Sequence, residues 1–293
     1  MKPERIHSIA SERPLEGMAI GISVAYGEDS ATRAFTEEEM NSCVVRLADA
    51  LLAAGARLVF GHDWRPNGVM AAVGDLAVRY EPSMPPAATD TCRITNLVPW
   101  DRHVELPEKL REDLQARGIL RVEEIPLPES LMQREPQLGK RTLRSGALSL
   151  LRQRLAGLCQ ARVCLGGKYN KYEGFWPGIL EEAWTASRKR QPVFLSGMLA
   201  GAASLVLQAS RTGNWSALTS GNPDENVRRG LALIRESRAI DLPDFDRCEE
   251  IMNWEQLQMM SGLHMEDWQR LTEATDIAVV IALALKGLVT TVK

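Results

Sequence analysis

The amino-acid sequence predicts an α/β protein: an open parallel β-sheet with helices on both faces, followed by a helical C-terminal appendage. Up to about residue 221, short apolar segments rich in β-branched residues alternate with longer segments of helical periodicity. Continuous apolar runs are typical of parallel strands, because such strands are covered on both faces. After residue 221 the alternation stops, and the remaining segments have helical patterns alone.

The strands are predicted from apolar segments bounded by polar residues, glycine or proline. The first, AIGISVA, consists of small and β-branched residues. Five similar segments follow, and the complete set of predicted strands is 19–25, 57–60, 93–98, 122–125, 161–165 and 192–195. The proline-containing segment 81–91 is predicted as a loop.

Helices are predicted where apolar residues recur every three or four positions. The first begins at Thr36, since Glu39 completes a capping-box pattern, and ends at Gly55. The others are predicted at 69–80, 106–117, 138–158, 179–189, directly after 195, and at 226–238, 247–260 and 267–286. We therefore expect a polar lead-in at 1–16, a sheet domain at 17–221 and a helical segment at 222–293.

The composition is that of an ordinary soluble globular protein, with 45% hydrophobic and 25% charged residues. The net charge of −3 gives no overall attraction to nucleic acid or to an anionic membrane, so neither is an expected partner. The longest apolar run, 277–285, is too short to span a membrane, and the N-terminus lacks the apolar core of a signal peptide. We expect a cytoplasmic protein.

The cysteine and histidine residues favour neither a disulfide framework nor a metal site. The five cysteines are scattered without a C-x-x-C pair, which is typical of reduced, buried thiols. The four histidines are dispersed, and no Cys/His group has the spacing of metal ligands. We expect no metal and no cofactor.

The most informative segment is ARVCLGGKYNKYEGFWPGILEEA, in which a predicted strand ends in Gly166-Gly167 and a helix opens at Gly178. Glycines and a helix N-terminus present backbone N–H groups and a positive dipole end to an anion such as phosphate. Glu181 and Glu182, in the first turn, would face the same ligand. The alternative is a packing turn in which both glutamates complement the helix dipole.

The residues between the glycines, 168–177, form an insert in this segment. Its lysines, including Lys168, could meet phosphate, and its aromatic residues, including Tyr172, could stack on a base. An exposed surface loop is the alternative interpretation.

Other strand ends carry weaker signals for an anion site. Gly61, Arg65 and Gly68 follow the second predicted strand, and Ser196-Gly197 follows the last. Each of these turns could approach a ligand closely, or could serve tight packing alone. Arg141 and Arg144, on the long helix before the central motif, are candidates for a phosphate contact, or are part of a solvated basic face.

The central motif resembles the PGG-x-GT-x-x-E pattern of LOG-type phosphoribohydrolases and of the wider SMF/DprA–LOG (SLOG) superfamily. Gly166-Gly167 correspond to the glycine pair, and 178–182 to G-T-L-E-E. The resemblance covers residues 17–215. The tail, from NWEQLQMMSGLHM onward, is similar to the C-terminal segment of SLOG proteins associated with TIR-type effectors and nucleoside phosphorylases in bacterial defence systems.

The resemblance implies a Rossmann-like sheet that binds nucleotide derivatives. In LOG-type enzymes an arginine and a glutamate of these motifs cleave the base–ribose-phosphate bond, and we assign these roles to Glu181 and to Arg144 or Arg141. The chain departs from the pattern in the insert, in Ile179 at the threonine position, and in the fewer glycines of 61–68.

Three functions are compatible with these observations. The first is a sensor that binds ADP-ribose, a cyclic ADP-ribose isomer or NAD and acts through assembly or an effector protein partner. The second is a LOG-like N-glycosidase, and the third an assembly protein with a degenerate pocket. A homo-oligomer is expected, because the apolar stripe of 277–289 is too strong to remain exposed.

Overall fold

The computed structural model describes residues 13–26, 35–65, 68–82 and 91–291. These residues form one six-stranded, all-parallel open sheet with helices, and a helical C-terminal segment, so the predicted fold class is confirmed. The strands are β1 Ala19–Ala25, β2 Arg57–Gly61, β3 Ile94–Pro99, β4 Leu120–Ile125, β5 Ala161–Gly166 and β6 Val193–Ser196. Each predicted strand is present, with its ends shifted by no more than two residues.

The strand order across the sheet is β4-β3-β2-β1-β5-β6. The chain builds outward from β1 to β4 and then returns to the other side of β1 with β5, where Ile20 lies beside Ala161 and Ala25 beside Gly166. The order of connection therefore reverses between β1 and β5. In open α/β sheets, ligands bind beyond the carboxyl ends of the strands at such a switch point.

The helices are α1 Glu37–Ala53, α2 Met70–Val78, α3 Glu108–Ala116, α4 Glu129–Met132, α5 Glu135–Leu138, α6 Lys140–Leu158, α7 Gly178–Arg188, α8 Gly201–Thr212, α9 Ser216–Thr219, α10 Glu225–Ser237, α11 Cys248–Ile251, α12 Trp254–Ser261, α13 Met265–Thr272 and α14 Ile277–Thr291. The capping box of α1 is formed, since Thr36 Oγ1 accepts from Glu39 N at 3.1 Å and Glu39 Oε2 accepts from Thr36 N at 2.7 Å.

Helices cover both faces of the sheet. On one face, Leu151 and Leu155 of α6 pack against Val59 and Leu97. On the other, α1 and α7 contribute to the larger core cluster, which also contains the sheet residue Phe60. The central strands are therefore buried on both sides, as their continuous apolar sequences predict.

Two predicted helices of the tail are each interrupted. The 247–260 segment forms α11 and α12, because Asn253 starts a new helix by accepting the Gln256 N–H at 2.9 Å. The 267–286 segment forms α13 and α14, and Asp276 accepts the Ala278 N–H at 2.8 Å where α14 begins. The periodicity of apolar residues continues through both breaks. The capping residues Asn253 and Asp276 are therefore the only sign of the breaks in the sequence.

The helical tail shares the core of the sheet. Val280, Leu283 and Leu288 of α14 are buried in the same cluster as the strand residues. Gly287 lies so close to Phe194 of β6 that a Cβ at this position would overlap with the ring. The apolar stripe of 277–289 is therefore largely covered within the chain, which removes the reason given above for expecting an oligomer.

The predicted lead-in, 1–16, lies mostly outside the described residues. Its last residues are packed: Leu15 is completely buried, and its N–H donates to the Ala54 carbonyl at 2.9 Å. The division at 221/222 marks a change of secondary structure and remains an interpretation. None of the helices in the described ranges combines the length and the apolar character needed to cross a membrane.

Candidate functional site

A cleft of about 350 Å³ lies at the switch point between β1 and β5. Its walls come from the carboxyl ends of β1 and β2, the turn after β5 and the start of α7. The residues that line it include Ser23, Tyr26, Gly61, His62, Asp63, Arg65, Arg102, Arg152, Gly167, Lys168, Tyr172, Glu173, Gly178, Ile179 and Glu182. The sequence motif and the sheet topology therefore indicate the same place.

The glycine pair after β5 allows α7 to approach the end of the strand. Gly166 and Gly167 have φ angles of 61° and 95°, which are strained for any other residue. A Cβ at Gly167 would overlap with Cγ1 of Ile179, and the Gly167 N–H donates to the Ala25 carbonyl at 2.8 Å. The turn thus joins β1, β5 and α7 at one point. Gly167 lines the cleft, whereas Gly166 does not.

The N-terminus of α7 faces the cleft through Gly178 and Ile179. Its N-cap residue is Pro177, and no side chain caps the first turn. Uncapped N–H groups and the positive end of the helix dipole favour an anion here. Lys168 lines the same cleft, and no carboxylate of the described residues lies within 4.0 Å of its ammonium group. The arrangement can hold a phosphate.

Glu182 lines the cleft beside the start of α7, with a side chain that is 15% exposed. Its Oε2 accepts hydrogen bonds from Ser23 Oγ and from Arg162 Nη1, the latter at 2.7 Å. Arg152 Nε lies 3.9 Å from the other oxygen, Oε1. The carboxylate is therefore fixed on one oxygen, while Oε1 has no hydrogen bond from the described residues and can accept from a ligand hydroxyl.

Glu181, the proposed catalytic residue, is placed differently. Its side chain is 1% exposed, is absent from the cleft lining and pairs with Arg152 Nη1 at 2.5 Å. The pattern G-T-x-x-E, counted from Gly178, ends at Glu182 rather than Glu181. That count is the sequence signal that distinguishes the two glutamates.

Arg152 is a cleft residue that the sequence analysis did not select. It is nearly buried on α6, and its guanidinium passes beside the start of α7, where a Cβ at Gly174 would lie 2.8 Å from Nη1 and one at Gly178 3.0 Å from Nη2. The two glycines that flank the FWP sequence thus make room for an arginine. In sequence, Arg152 is one basic residue among several on a helix, and nothing there marks it.

Arg141 and Arg144, the two arginines that were selected, do not line the cleft. Arg144 pairs with Asp101, and this hydrogen bond holds the pKa of the Asp101 carboxyl below its usual value. Arg141 pairs with Asp224 at 2.5 Å, at the start of α10. Both arginines are therefore paired with carboxylates that lie outside the cleft lining.

The rim of the cleft at β2 contains paired charges. Arg65 donates to Asp63 at 2.6 Å and to Glu37 at 2.9 Å, which raises the pKa of Arg65. Gly68 is outside the lining, and a Cβ there would overlap with the Asp63 carbonyl, so it closes this turn. Gly61 lines the cleft, with His62 beside it.

The Nε2 atom of His62 lies 3.1 Å from the carbonyl oxygen of His103. Burial lowers the pKa of its imidazole, which favours the neutral form with a proton on that nitrogen. Arg102, which precedes His103 and also lines the cleft, pairs with Glu173 at 2.5 Å. The cleft therefore has paired charges among its more exposed lining residues and two less exposed charged side chains, Arg152 and Glu182.

The insert 168–177 joins the cleft to the C-terminal part of the chain. Tyr172 lines the cleft and its hydroxyl donates to the Gly221 carbonyl at 2.8 Å. Asn222 Nδ2 donates to the carbonyls of Tyr172 and Gly174 at 3.2 and 2.7 Å. Burial raises the pKa of Tyr172 to about 12, so it is a phenol at neutral pH. Trp176 is buried elsewhere.

The Ser196-Gly197 turn lies apart from the cleft. Ser196 Oγ accepts from Met198 N at 3.3 Å, and Gly197 N donates to the Thr272 carbonyl at 3.0 Å. This turn therefore connects β6 with the tail. Across the described ranges, no group of three or more His, Cys, Asp or Glu residues is arranged to hold a metal ion.

Comparison with known proteins found one family. The family described as SLOG cluster2 matches residues 14–271, which includes the whole sheet, the cleft and most of the helical tail. A search among curated proteins found no match.

Proposed function

The chain belongs to the SLOG cluster2 family, and we propose that it is a sensor whose cleft binds a nucleotide derivative of the ADP-ribose, cyclic ADP-ribose or NAD type. Membership of the family indicates a nucleotide-related role. The observation that carries the proposal is the meeting of the uncapped α7 N-terminus and Lys168 at the switch point of the sheet. This is where open α/β proteins hold phosphate groups.

The other contacts follow from the same geometry. A phosphate bound at Gly178 and Lys168 would place the attached ribose near Glu182. The Oε1 atom of Glu182 can accept a hydrogen bond from a ribose hydroxyl. Tyr172 and Tyr26 offer aromatic surface for a base. The volume of about 350 Å³ lies within the usual range of small-molecule pockets.

The test is ligand-observed proton NMR with AMP, NAD, ADP-ribose and cyclic ADP-ribose isomers. We expect saturation transfer to one of them, and we expect Lys168→Gln to weaken its binding about tenfold, since a charge-assisted contact to phosphate is lost. Lys189→Gln, at the far end of α7, is the matched control and should leave binding unchanged. No saturation transfer to any of these nucleotides would contradict the proposal.

A LOG-like N-glycosidase is the second candidate, and the position of Glu182 beside Arg152 in the cleft favours it. In this mechanism Glu182 and Arg152 take the roles first given to Glu181 and Arg144. The carboxylate would stabilise the cationic ribosyl transition state, and Glu182→Gln would lower turnover by about 10²–10³. Against this candidate, Oε2 of Glu182 is already engaged by Arg162 and Ser23.

The same NMR experiment separates the two candidates. In a sensor the anomeric proton signal of the bound nucleotide stays constant over hours. In an N-glycosidase that signal decays while free base accumulates, and Glu182→Gln stops the decay.

The similarity of the tail to SLOG proteins of bacterial defence systems supports a signalling role for a bound nucleotide. We propose that occupation of the cleft changes self-association or the activity of an effector protein partner. Light scattering with and without the nucleotide that shows saturation transfer in the NMR experiment tests the change in self-association. A mass that does not change would contradict this part of the proposal.

A further inference from the structure

Arg162 is a completely buried arginine in the middle of a parallel sheet. It is the second residue of β5, between strands β1 and β6, where its register neighbours are Gly21 and Val193. Burying a guanidinium costs free energy unless its charge is paired and its N–H groups are bonded. A residue of this kind in a strand that is otherwise apolar needs a reason.

The side chain extends from the strand toward the cleft. Its Nη1 donates to Ser23 Oγ at 2.7 Å and to Glu182 Oε2 at 2.7 Å. Ser23 in turn donates to the same oxygen of Glu182. Arg162, Ser23 and Glu182 thus form a closed triangle of hydrogen bonds beneath the cleft, and only Glu182 and Ser23 line it.

Gly21 on β1 makes this path available. A Cβ at Gly21 would lie 2.9 Å from Cζ and 3.0 Å from Nη2 of Arg162. The glycine in the AIGISVA strand therefore serves a buried side chain on the neighbouring strand.

We propose that Arg162 is the positioning residue of the cleft: it fixes Oε2 of Glu182 so that Oε1 is presented to a hydroxyl of the ligand. Without Arg162, the carboxylate is free to turn toward Arg152, whose Nε already lies 3.9 Å from Oε1. The ligand class that this arrangement selects is a nucleotide with a ribose rather than a deoxyribose. The hydroxyl selection rests on the proposed nucleotide binding, whereas the fixing of the carboxylate does not.

The experiment has two readouts on the same variants. The first is the ¹³Cδ signal of Glu182 in protein with labelled glutamate, identified by its loss in Glu182→Gln. The second is the ratio of the dissociation constants of 2′-deoxy-AMP and AMP. Arg162→Met is the main variant. The matched control is Arg154→Met, which removes an exposed arginine on α6 that pairs with Glu123 of β4.

We expect Arg162→Met to move the Glu182 signal toward those of the exposed glutamates and to reduce the ratio from about tenfold to near one. Arg154→Met should change neither. A folded Arg162→Met protein in which signal and ratio both equal those of the wild type would overturn the proposal. A structural role alone would lower the melting temperature and leave the ratio unchanged.

Two further outcomes are distinguishable. If the wild type binds neither AMP nor 2′-deoxy-AMP, the Glu182 signal alone decides whether Arg162 positions the carboxylate, and the NMR experiment with NAD, ADP-ribose and its cyclic isomers decides the proposed function. If Arg162→Met does not fold, Ser23→Ala and Gly21→Ala replace it. The first removes the two hydrogen bonds of the triangle that involve Ser23, and the second displaces the guanidinium by its added methyl group.

Discussion

At the scale of single residues, Glu181 and Glu182 have different environments although they are adjacent. Successive residues on a helix point about 100° apart, so one faces the α6 interface and the other the cleft. Glu181 pairs with Arg152 in the interior, where ion pairs have large consequences when one member is removed. Substitution of Glu181 should therefore affect stability through Arg152, whereas substitution of Glu182 should also affect ligand binding in the cleft.

The first prediction concerns Glu181. We expect Glu181→Ala to lower the free energy of unfolding by about 3 kcal/mol, because it leaves the nearly buried Arg152 guanidinium with only the more distant carboxylate of Glu182, 3.9 Å away. Chemical denaturation measures this. Glu250→Ala, which removes an exposed partner of Arg247, is the control and should have little effect. A Glu181→Ala protein as stable as the control would show that the pair contributes nothing.

The second prediction concerns His62 and pH. Burial lowers its pKa from the ordinary value of 6.5, so below pH 6.5 the unfolded chain binds a proton that the folded protein does not. The free energy of unfolding should therefore fall as the pH decreases through 6.5 toward the lowered value, and His62 contributes no such loss above pH 6.5.

His62→Gln, which keeps a donor for the His103 carbonyl, should reduce the loss of stability between pH 7 and pH 5. Denaturation curves of both proteins at each pH give the difference directly. Parallel curves for the two proteins would contradict the assignment to His62.

Sequence reasoning found part of the site at this scale. It selected Gly167, Lys168 and Gly178, because glycines and a lysine after a strand have a recognisable pattern. It did not select Arg152 or Arg162. A side chain's reach depends on which strands are neighbours, and β1 becomes the neighbour of β5 only in the folded sheet. The visible signal for Arg162 was a charged residue within an apolar strand.

At the scale of elements, the turn after β5 determines how closely the start of α7 packs against the end of β5. The positive φ of Gly167 and its contact with Ile179 leave no space for a side chain. The alternation of apolar strands and amphipathic helices predicted these elements correctly. The breaks inside the tail helices were missed, because one capping residue in a continuous apolar pattern is a weak signal.

The third prediction follows from this turn. Gly167→Ala should lower the melting temperature and abolish nucleotide binding, since the methyl group would push α7 away from β5. Gly74→Ala is the matched control, because a Cβ at Gly74 on α2 meets no atom within 4 Å. That substitution should stabilise the protein by about 0.4–1 kcal/mol. Equal melting temperatures for the two variants would refute the argument.

At the scale of the whole molecule, the sheet and the helical tail share one core. Helix α14 contacts both α1 and the β6 residue Phe194, so neither part is complete without the other. The tail is thus a structural part of the fold, in addition to any role in assembly.

The fourth prediction is that the chain unfolds as one unit. Calorimetry should give a single transition with equal calorimetric and van't Hoff enthalpies, because the two segments lose the same buried surface together. A chain ending at residue 221 should bind a hydrophobic dye and lack a cooperative transition. Two separated transitions for the full chain would contradict the shared core.

The strand order also has a consequence for biosynthesis. The Ala19 N–H of β1 donates to the side chain of Gln160, which lies 141 positions later in the chain. Strand β5, the second neighbour of β1, begins directly after Gln160. At a translation rate of about 5–20 residues per second, roughly 7 to 28 seconds pass between synthesis of β1 and of its second neighbour. During that interval one edge of β1, which is one of the two central strands, lacks its partner strand on the ribosome-bound chain.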